Sequence, residues 1–433
     1  MRNKKSILCT ILLLIVALAA HGQAGSKSPY SQYGLGALGD QSQAFSRGMN
    51  GVGIALRKGD VANALNPAAY SAIDSLTMLF DVAMAAEVTN YKERGASVNA
   101  KGATFEYFTG TFRLRKNMGM TFGLLPYSNI DYSYSTSQYL DSNNGTIQEN
   151  YTGSGGLHQA FLGMGWRIAG PLSVGANVAY LWGKQDKTVS SVSTTYINSL
   201  SKNYSALINS YNIQFGLQWE QPLSKKDVLT LGATYTLGHT LNANANCIIV
   251  NTNSATSNRD TTSFVVENGF AIPHTFGVGL GLTHKESLFV GADLTMQKWG
   301  SIDYPDYDAE KGTYVKKGGL LKDRYKVSVG ADFVPNSMSR SYFNRVHYRL
   351  GAGFATPYFK VNDQDGPKEL SVSAGFGLPL QNSWNSRGNM KPVLNISAQW
   401  VRSSATDLIT ENTFRINLGL TFNERWFAKW KVN

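Results

Sequence analysis

Histidine and cysteine are the side chains of this sequence from which a metal site or a catalytic base would have to be built. After the first 22 residues they are few and scattered: His158, His239, His274, His284, His347 and Cys247. No two of them have the short spacing that metal ligands share on a helix or a ribbon, so we expect no metal site and no cofactor. His158 and His239 lie on predicted strands with serines nearby, as a Ser–His hydrolase would require. We interpret them as ordinary lumenal or surface histidines and predict no catalytic residues and no enzyme.

The composition indicates the class of protein to which this chain belongs. Charged residues make up 16% of the 433 residues, against about 25% in a soluble domain. Disorder is excluded because disordered chains lack the aromatic content of 12% found here. After residue 22, no apolar run approaches the roughly 20 residues of a membrane-spanning helix. A chain that is low in charge and contains 43 glycines suits a closed β-barrel in the outer membrane of a Gram-negative bacterium.

The N-terminus predicts export from the cytoplasm. A basic start, Arg2 to Lys5, precedes an apolar stretch that ends in small residues, which is the pattern of a signal peptide. We therefore assign residues 1–22 as a signal peptide, cut between Gly22 and Gln23, in preference to a short transmembrane anchor. The basic excess, +11 in formal charge, is scattered along the chain. It indicates attraction to acidic outer-membrane lipid and lipopolysaccharide, with no nucleic-acid partner.

Alternation of apolar and polar residues predicts strands along most of the chain. In Thr413 to Phe422 every second residue is apolar, and the positions between are polar or Gly. Such alternation over about 10 residues is the signature of a transmembrane barrel strand. We expect an all-β, up-and-down antiparallel barrel of about fourteen strands, with twelve or sixteen also open. The predicted spans are 76–89, 103–114, 118–137, 149–168, 172–185, 206–221, 228–242, 263–283, 287–299, 321–335, 346–360, 369–379, 392–402 and 412–422.

The connections between these strands alternate in length. Short turns such as Arg115 to Asn117 and Ala169 to Pro171 alternate with long polar loops such as 243–262. Outer-membrane barrels have short periplasmic turns and long extracellular loops, and an even strand count places both termini in the periplasm. Tryptophans near strand ends, including Trp299, suit an interfacial aromatic girdle. Whether the tail after Phe422 extends the last strand or lies in the periplasm stays open.

The segment before the first strand does not alternate in this way. Gly-rich residues 47–56 are followed by Asn66, Pro67 and Ala68, and this order resembles the N-terminal hatch of the FadL/TodX outer-membrane transporters. The stretch that contains Pro273, and the strand that ends at Trp299, resemble two later strands of the same family.

The resemblance implies both an architecture and a function. It implies a fourteen-stranded barrel over 76–433 with the hatch, 23–75, in its lumen, and passive uptake of hydrophobic compounds such as long-chain fatty acids. In the resembled family the third strand is kinked beside a lateral opening. Pro126, on the predicted third strand, is therefore a candidate lateral gate, and an ordinary bulge is the alternative. The Asn66-Pro67-Ala68 turn is likewise either part of a movable hatch or an ordinary turn into the first strand.

Other functions stay open beside uptake. FadL-like barrels also serve as platforms in protein export, so a non-transporting partner in outer-membrane assembly or secretion is the main alternative, with other envelope proteins as partners. A general porin would need a lumen free of residues 24–75 and would conduct strongly. Co-purification with envelope proteins in a fixed ratio distinguishes the first alternative, and conductance distinguishes the second.

Overall fold

The computed structural model describes residues 27–75, 77–139, 145–193, 198–380 and 392–425. The predicted signal peptide, with its cut after Gly22, and the tail after Arg425 lie outside the described residues. Within the described part of the chain, no helix is long and apolar enough to cross a membrane.

Fourteen antiparallel strands of the described chain form one closed barrel, as the alternation predicts. They are β1 (Thr77–Glu93), β2 (Ala96–Arg115), β3 (Met118–Tyr139), β4 (Thr146–Ala169), β5 (Leu172–Ser193), β6 (Asn198–Pro222), β7 (Asp227–Thr236), β8 (Thr275–His284), β9 (Leu288–Gln297), β10 (Arg324–Phe333), β11 (His347–Ala355), β12 (Lys368–Pro379), β13 (Val393–Ser404) and β14 (Thr410–Arg425). Each strand pairs with the next, and β1 pairs with β14 from Lys92 opposite Thr410 to Thr77 opposite Arg425. This last pairing closes the sheet, as a backbone surrounded by lipid requires.

Alternation decides which side chains of the barrel face the lipid. On β14, Phe414, Ile416 and Leu418 point outward and are 42–49% exposed, whereas Asn417 between them is 1% exposed. The apolar positions therefore meet the lipid and the polar positions meet the lumen, which is the pattern that the sequence predicts.

The strands from β1 to β6 are much taller than those that follow. They have 17 to 25 residues, whereas β7 to β11 have 9 or 10, about what a bilayer requires. The extra height lies at the end of the barrel that carries the connections 237–274 and 298–323, here named the long-loop end. The opposite end is the short-turn end. The predicted spans of these tall strands are too short because their upper parts are polar and resemble loops.

The predicted strand 263–283 is wrong in its first half. Arg259–Val266 pairs with Ala245–Asn253 in a hairpin that joins the upper part of β6, and β8 begins only at Thr275. We name this hairpin the outer hairpin, and most of it occupies the expected loop 243–262. Alternation alone does not distinguish a strand that spans the membrane from one that extends the wall above it.

Residues 27–75, here named the lumen segment, lie inside the barrel. The Ser28 hydroxyl donates to Glu411 at the long-loop end, and the segment then descends to the short-turn end, where β1 begins. The first described residues therefore lie at the long-loop end, and the segment runs the length of the lumen. The prediction that both termini are periplasmic concerns residues outside the described part of the chain. Its short elements are a 3₁₀ helix (Pro29–Gln32), a strand (Ala37–Leu38), a helix (Ala44–Arg47) and a second 3₁₀ helix (Pro67–Ala72).

Other short elements occupy the connections of the barrel. They are the paired strands His239–Thr240 with Ala271–Ile272, Tyr304–Asp308 with Thr313–Lys317, and Lys360–Val361 with Gln364–Asp365, and the 3₁₀ helices Trp299–Ser301 and Phe343–Arg345.

Candidate functional site

The Asn66-Pro67-Ala68 motif lies deep in the lumen against the barrel wall. Asn66 is fully buried, and its side-chain oxygen accepts a hydrogen bond of 3.1 Å from the Ala68 amide, which caps the 3₁₀ helix that Pro67 begins. Pro67 suits this first position because its missing N–H would have no partner there. The Asn66 side-chain amide donates to the carbonyls of Ile54, at 2.8 Å, and Leu217, at 3.1 Å. The motif therefore ties two parts of the lumen segment to β6.

Glycines on the inner wall allow the lumen segment to pack against the strands. A Cβ on Gly119 would collide with the carbonyl oxygen of Tyr70, and a Cβ on Gly351 would collide with the backbone of Met49. These two glycines come from β3 and β11, so the contact extends to both sides of the barrel. The glycines that alternate with apolar residues along the strands thus allow the backbone of the lumen segment to approach the wall closely.

Buried ion pairs fix the lumen segment to the wall. Arg47 pairs with Glu106 at 2.8 Å, and Lys58 pairs with Asp332 at 2.7 Å. Asp332 also accepts from Arg349 at 3.0 Å, with both side chains 1% exposed. Removing one partner of such a pair strands a buried charge and costs about 3–5 kcal/mol. The segment is therefore held by interactions that are expensive to separate.

The long-loop end of the lumen is filled by an apolar cluster, here named the apolar cap. Its buried members include Tyr30, Leu35, Leu157, Ile208, Trp299, Tyr358 and Phe359. Trp299 is fully buried, with its ring centroid 4.7 Å from that of Tyr358, so the expectation of an interfacial girdle residue is wrong for this position. Burial raises the pKa of the neighbouring Tyr304 phenol well above its usual value, and the Lys187 ammonium donates to this hydroxyl at 3.1 Å.

The predicted family-like position Pro273 lies immediately before β8. It follows the short strand Ala271–Ile272, and a Cβ on Gly238 would meet its backbone at 2.6 Å. Pro273 precedes β8 and Trp299 follows β9, so both lie at the long-loop end of this hairpin. They do not form one site with Pro126.

The wall is interrupted between β2 and β3. Their upper pairing stops at Phe108 opposite Leu124, and each strand carries a register irregularity just above this point. The β1–β2 register shifts opposite Glu106, and the β3–β4 register shifts between Pro126 and Ser128. Bulges bend and twist strands, and Pro126 removes a backbone donor at the same level. Here β2 and β3 separate, and we name this gap the wall break.

Above the wall break, β3 pairs with the lumen segment instead of β2. Ala37 and Leu38 face Asn129 and Ser128, and the Gly39 amide donates to the Tyr127 carbonyl at 2.9 Å. The upper part of β3 is therefore drawn toward the barrel interior, where its edge is partly covered by the chain itself.

Glycines allow β4 and β5 to follow β3 inward. Gly155 and Gly156 on β4 have φ of +121° and +136°, and Gly183 on β5 has φ of +159°. A Cβ on Gly156 would collide with the Ser128 carbonyl, and a Cβ on Gly183 with the Gly156 carbonyl. Larger residues are therefore excluded at the kink by both conformation and space.

A cavity of about 1220 Å³ extends through the wall break. Its lining includes outward-facing His158, Trp182 and Leu207 and, on the lumen side, Glu87 and Arg415. The Arg415–Glu87 pair, at 2.7 Å, is largely buried. The cavity therefore connects an apolar outer notch to a charged inner chamber.

The candidate hydrolase histidines lie in different places. His158 faces the outer notch beside Trp182, and His239 has Nε2 3.3 Å from the Ser210 hydroxyl while its Nδ1 is 3.5 Å from the Leu237 carbonyl. Among the described residues, no cluster of three or more His, Cys, Asp or Glu side chains has a metal-binding arrangement.

Solved structures with this fold include hydrocarbon channels. The CymD monoaromatic hydrocarbon channel is 15% identical with a TM-score of 0.58, over 92% of this chain and 100% of that one. The toluene transporter TodX of P. putida is 14% identical with a TM-score of 0.60, over 90% and 100%. A FadL homologue of Pseudomonas aeruginosa is 12% identical with a TM-score of 0.60, over 89% and 98%. The predicted FadL/TodX resemblance is thus confirmed, and at these identities it establishes the fold.

Sequence comparison gives a more specific assignment. No curated protein matches the chain. The model of one protein family, BamG, matches residues 3–433, almost the whole sequence. The chain belongs to the BamG family.

Proposed function

We propose that this protein is a plugged outer-membrane barrel that acts as a partner in envelope assembly or protein secretion. In this proposal, residues 23–75 form a hatch that stays in the lumen, and the protein works through its outer surfaces. The sequence alone favours uptake and leaves this function as the alternative. The packing of the lumen favours the alternative over uptake.

One observation carries the proposal: the lumen segment runs the length of the barrel, and the apolar cap at the long-loop end is closed by its own side chains. A lipophilic solute gains about 25 cal/mol per Å² of apolar area removed from water, provided that an apolar pocket is vacant. Here the side chains of the apolar cap, among them Trp299 and Tyr358, pack against each other. The inner chamber of the cavity presents Glu87 and Arg415, which a lipophilic solute would have to desolvate.

The tall half of the wall supplies a surface for a partner. The strands β3 to β6 have 22 to 25 residues, more than twice the roughly 9–11 that a tilted strand needs to cross a bilayer. Together with the outer hairpin they extend the sheet well above the membrane. An ordered sheet of this size is suited to hold another envelope protein.

Affinity purification from native membranes tests the proposal. We expect a tagged full-length protein to bring down the same envelope proteins in a fixed ratio at different expression levels. Replacing the outer hairpin, Ala245–Val266, by a short turn should reduce their recovery while the barrel itself still inserts. Recovery as a lone barrel under mild extraction, with uptake of lipophilic compounds, would contradict the proposal.

The wall break favours a second candidate function, passive uptake of hydrophobic compounds. A cavity that crosses the wall beside Pro126 is consistent with lateral release of a solute into lipid, and the solved structures that share the fold include channels for monoaromatic hydrocarbons. In this candidate Pro126 is the lateral gate and the hatch moves to admit the solute. Uptake of a radiolabelled aromatic hydrocarbon or fatty acid by cells with and without the protein distinguishes the two functions.

A further inference from the structure

The outer hairpin ends in a strand with one unpaired edge. Arg259–Val266 pairs on one side with Ala245–Asn253, and no strand of the described chain pairs with its other side. At the turn, the Asn253 amide donates to the Asn258 carbonyl at 2.9 Å, so these two residues form a hydrogen-bonded pair. Because bonding alternates along an antiparallel strand, every second residue directs its N–H and C=O groups away from the hairpin. These residues are Arg259, Thr261, Ser263 and Val265, and all of them are exposed.

This edge lacks the features that normally protect an edge strand. Natural proteins place charges, proline or bulges along such edges, but Thr261–Val266 contains no charged residue, no proline and no glycine. By contrast, the unpaired edge of β2 above Phe108 carries Lys101 and Gly102. A bare edge of strand-forming residues favours aggregation unless another strand covers it. The edge Arg259–Val266 therefore indicates a partner that is itself a strand.

A second copy of this chain in the same membrane does not fit this edge. Two identical antiparallel strands are related by a two-fold axis perpendicular to their sheet. The outer hairpin continues the wall above the membrane by pairing with β6, so this axis would lie in the membrane plane and the second barrel would be inverted. A two-fold axis along the strands would instead place each donor opposite the same donor. The edge therefore suits a strand of a different protein.

Side chains at the edge limit the sequence of a partner strand. Arg259 at one end and Glu267 just beyond the other are exposed, and neither forms an ion pair within the described residues. On the outward face, the side chain of Val265 is 59% exposed and that of Ile248 is 40% exposed. The best match is a strand with an acidic residue near Arg259, a basic residue near Glu267 and an apolar residue beside Val265.

We propose that a strand of another envelope protein pairs antiparallel with the free edge Arg259–Val266 and so adds to the extended wall. This inference rests on the proposed function in assembly or secretion. Main-chain hydrogen bonds to the outward N–H and C=O groups hold the partner, and the side chains at Arg259, Val265 and Glu267 select it.

Affinity purification of the full-length protein with Ser263→Pro tests the inference. The substitution removes a donor that points away from the hairpin, keeps the hydrogen bonds within the hairpin, and places a ring in the path of an incoming backbone. Recovery of the partner should fall by about tenfold or more, while the thermal unfolding transition of the barrel stays unchanged. The pair Thr261→Lys and Val265→Lys keeps the backbone, adds charge to the edge, and should also reduce recovery.

The matched control is Lys101→Pro on the free edge of β2, where the amide also points away from its hairpin. It should leave recovery unchanged. Photocrosslinking amino acids at Thr261 and Val265 then map the partner: their adducts should lie about four residues apart in one segment of another protein, in the reverse order.

The outcomes separate this inference from the proposed function. Recovery that is lost on replacement of the whole outer hairpin but unchanged by Ser263→Pro would overturn strand pairing and leave the assembly function intact. Crosslinks to a second copy of this chain, or to scattered segments, would also overturn it. A wild-type protein that recovers no partner in a fixed ratio would contradict the proposed function itself.

Discussion

The two halves of the barrel wall are built in different ways. From β7 to β11 the strands are short, and their described pairings contain no register irregularity. From β1 to β6 the strands are tall, and bulges and kinked glycines interrupt them. The regular half holds Asp293 and Asp332, which bind the lumen segment, whereas the irregular half carries the wall break. Both halves therefore hold the lumen segment, since Glu106 of the irregular half pairs with Arg47, but only the irregular half is opened to the outside.

Removal of the lumen segment should change the barrel most, because the segment contacts both halves of the wall. A variant that lacks residues 27–73 loses the backbone that packs on the wall glycines, so the barrel should change from closed to steadily conducting in planar bilayers. Deleting the tip of the outer hairpin, residues 254–258, is the control and should leave it closed. Equal conductance of the full-length and truncated proteins would mean that the lumen segment does not close the barrel.

Substitution in the regular half should have the next largest effect. Asp332→Asn leaves Arg349 and Lys58 without their shared carboxylate, and the free energy of unfolding should fall by about 3–5 kcal/mol. Denaturant unfolding in detergent measures this loss. Asp308→Asn, at a hairpin turn where Asp308 forms a surface ion pair with Lys311 at 3.7 Å, is the control and should change stability by less than about 0.5 kcal/mol. A small loss at Asp332 would mean that this buried carboxylate does not anchor the lumen segment.

A substitution at the kink should cost less. Gly183→Val introduces a Cβ where φ is +159° and the Gly156 carbonyl leaves no room, and we expect a loss of about 1–3 kcal/mol. Lys184→Val, at the next and exposed position, adds the same side chain without the collision. If both variants unfold at the same denaturant concentration, the bend of β4 and β5 does not depend on glycine.

Pro126→Ala should have the smallest effect. The register shift also involves Tyr127 and the pairing of β3 with the lumen segment, so we expect a stability change below about 1 kcal/mol and no change in uptake of lipophilic compounds. A drop in uptake of about tenfold, with stability unchanged, would instead support Pro126 as a lateral gate and favour the channel over the assembly partner.

The sequence predicts best the parts of the strands that cross the membrane. The predicted spans 287–299 and 412–422 fall close to β9 and β14, because alternation over one bilayer thickness is a direct consequence of facing lipid on one side. The upper parts of β2 and β6 were missed because they stand in water, where neither face has to be apolar. Local pattern carries no information about their pairing.

The candidate site was predictable only in part. Asn66, Pro67 and Ala68 stand out in the sequence, and the turn that they form is local, since Asn66 caps its own 3₁₀ helix. The partner of the motif on the barrel wall, the Leu217 carbonyl, is 151 residues away from Asn66, and no periodicity of the sequence predicts such a contact. In the sequence, Pro126 indicates an interruption of strand pairing. The bulge at Glu106 has no such indicator, so the position of the wall break could not be predicted from β3 alone.

The pairing of β1 with β14 constrains the order in which this protein folds. The lumen segment precedes β1, yet Ser28 contacts Glu411 across 383 residues, and the glycines that receive the segment leave no clearance for later threading. The segment must therefore be inside before the seam between the first and last strands zips shut. Because contacts so distant in sequence form slowly, we expect the closure of this seam to be a late step of folding. On this order of events the barrel already contains the lumen segment when it closes, and the pairing of β14 with β1 is the closing step.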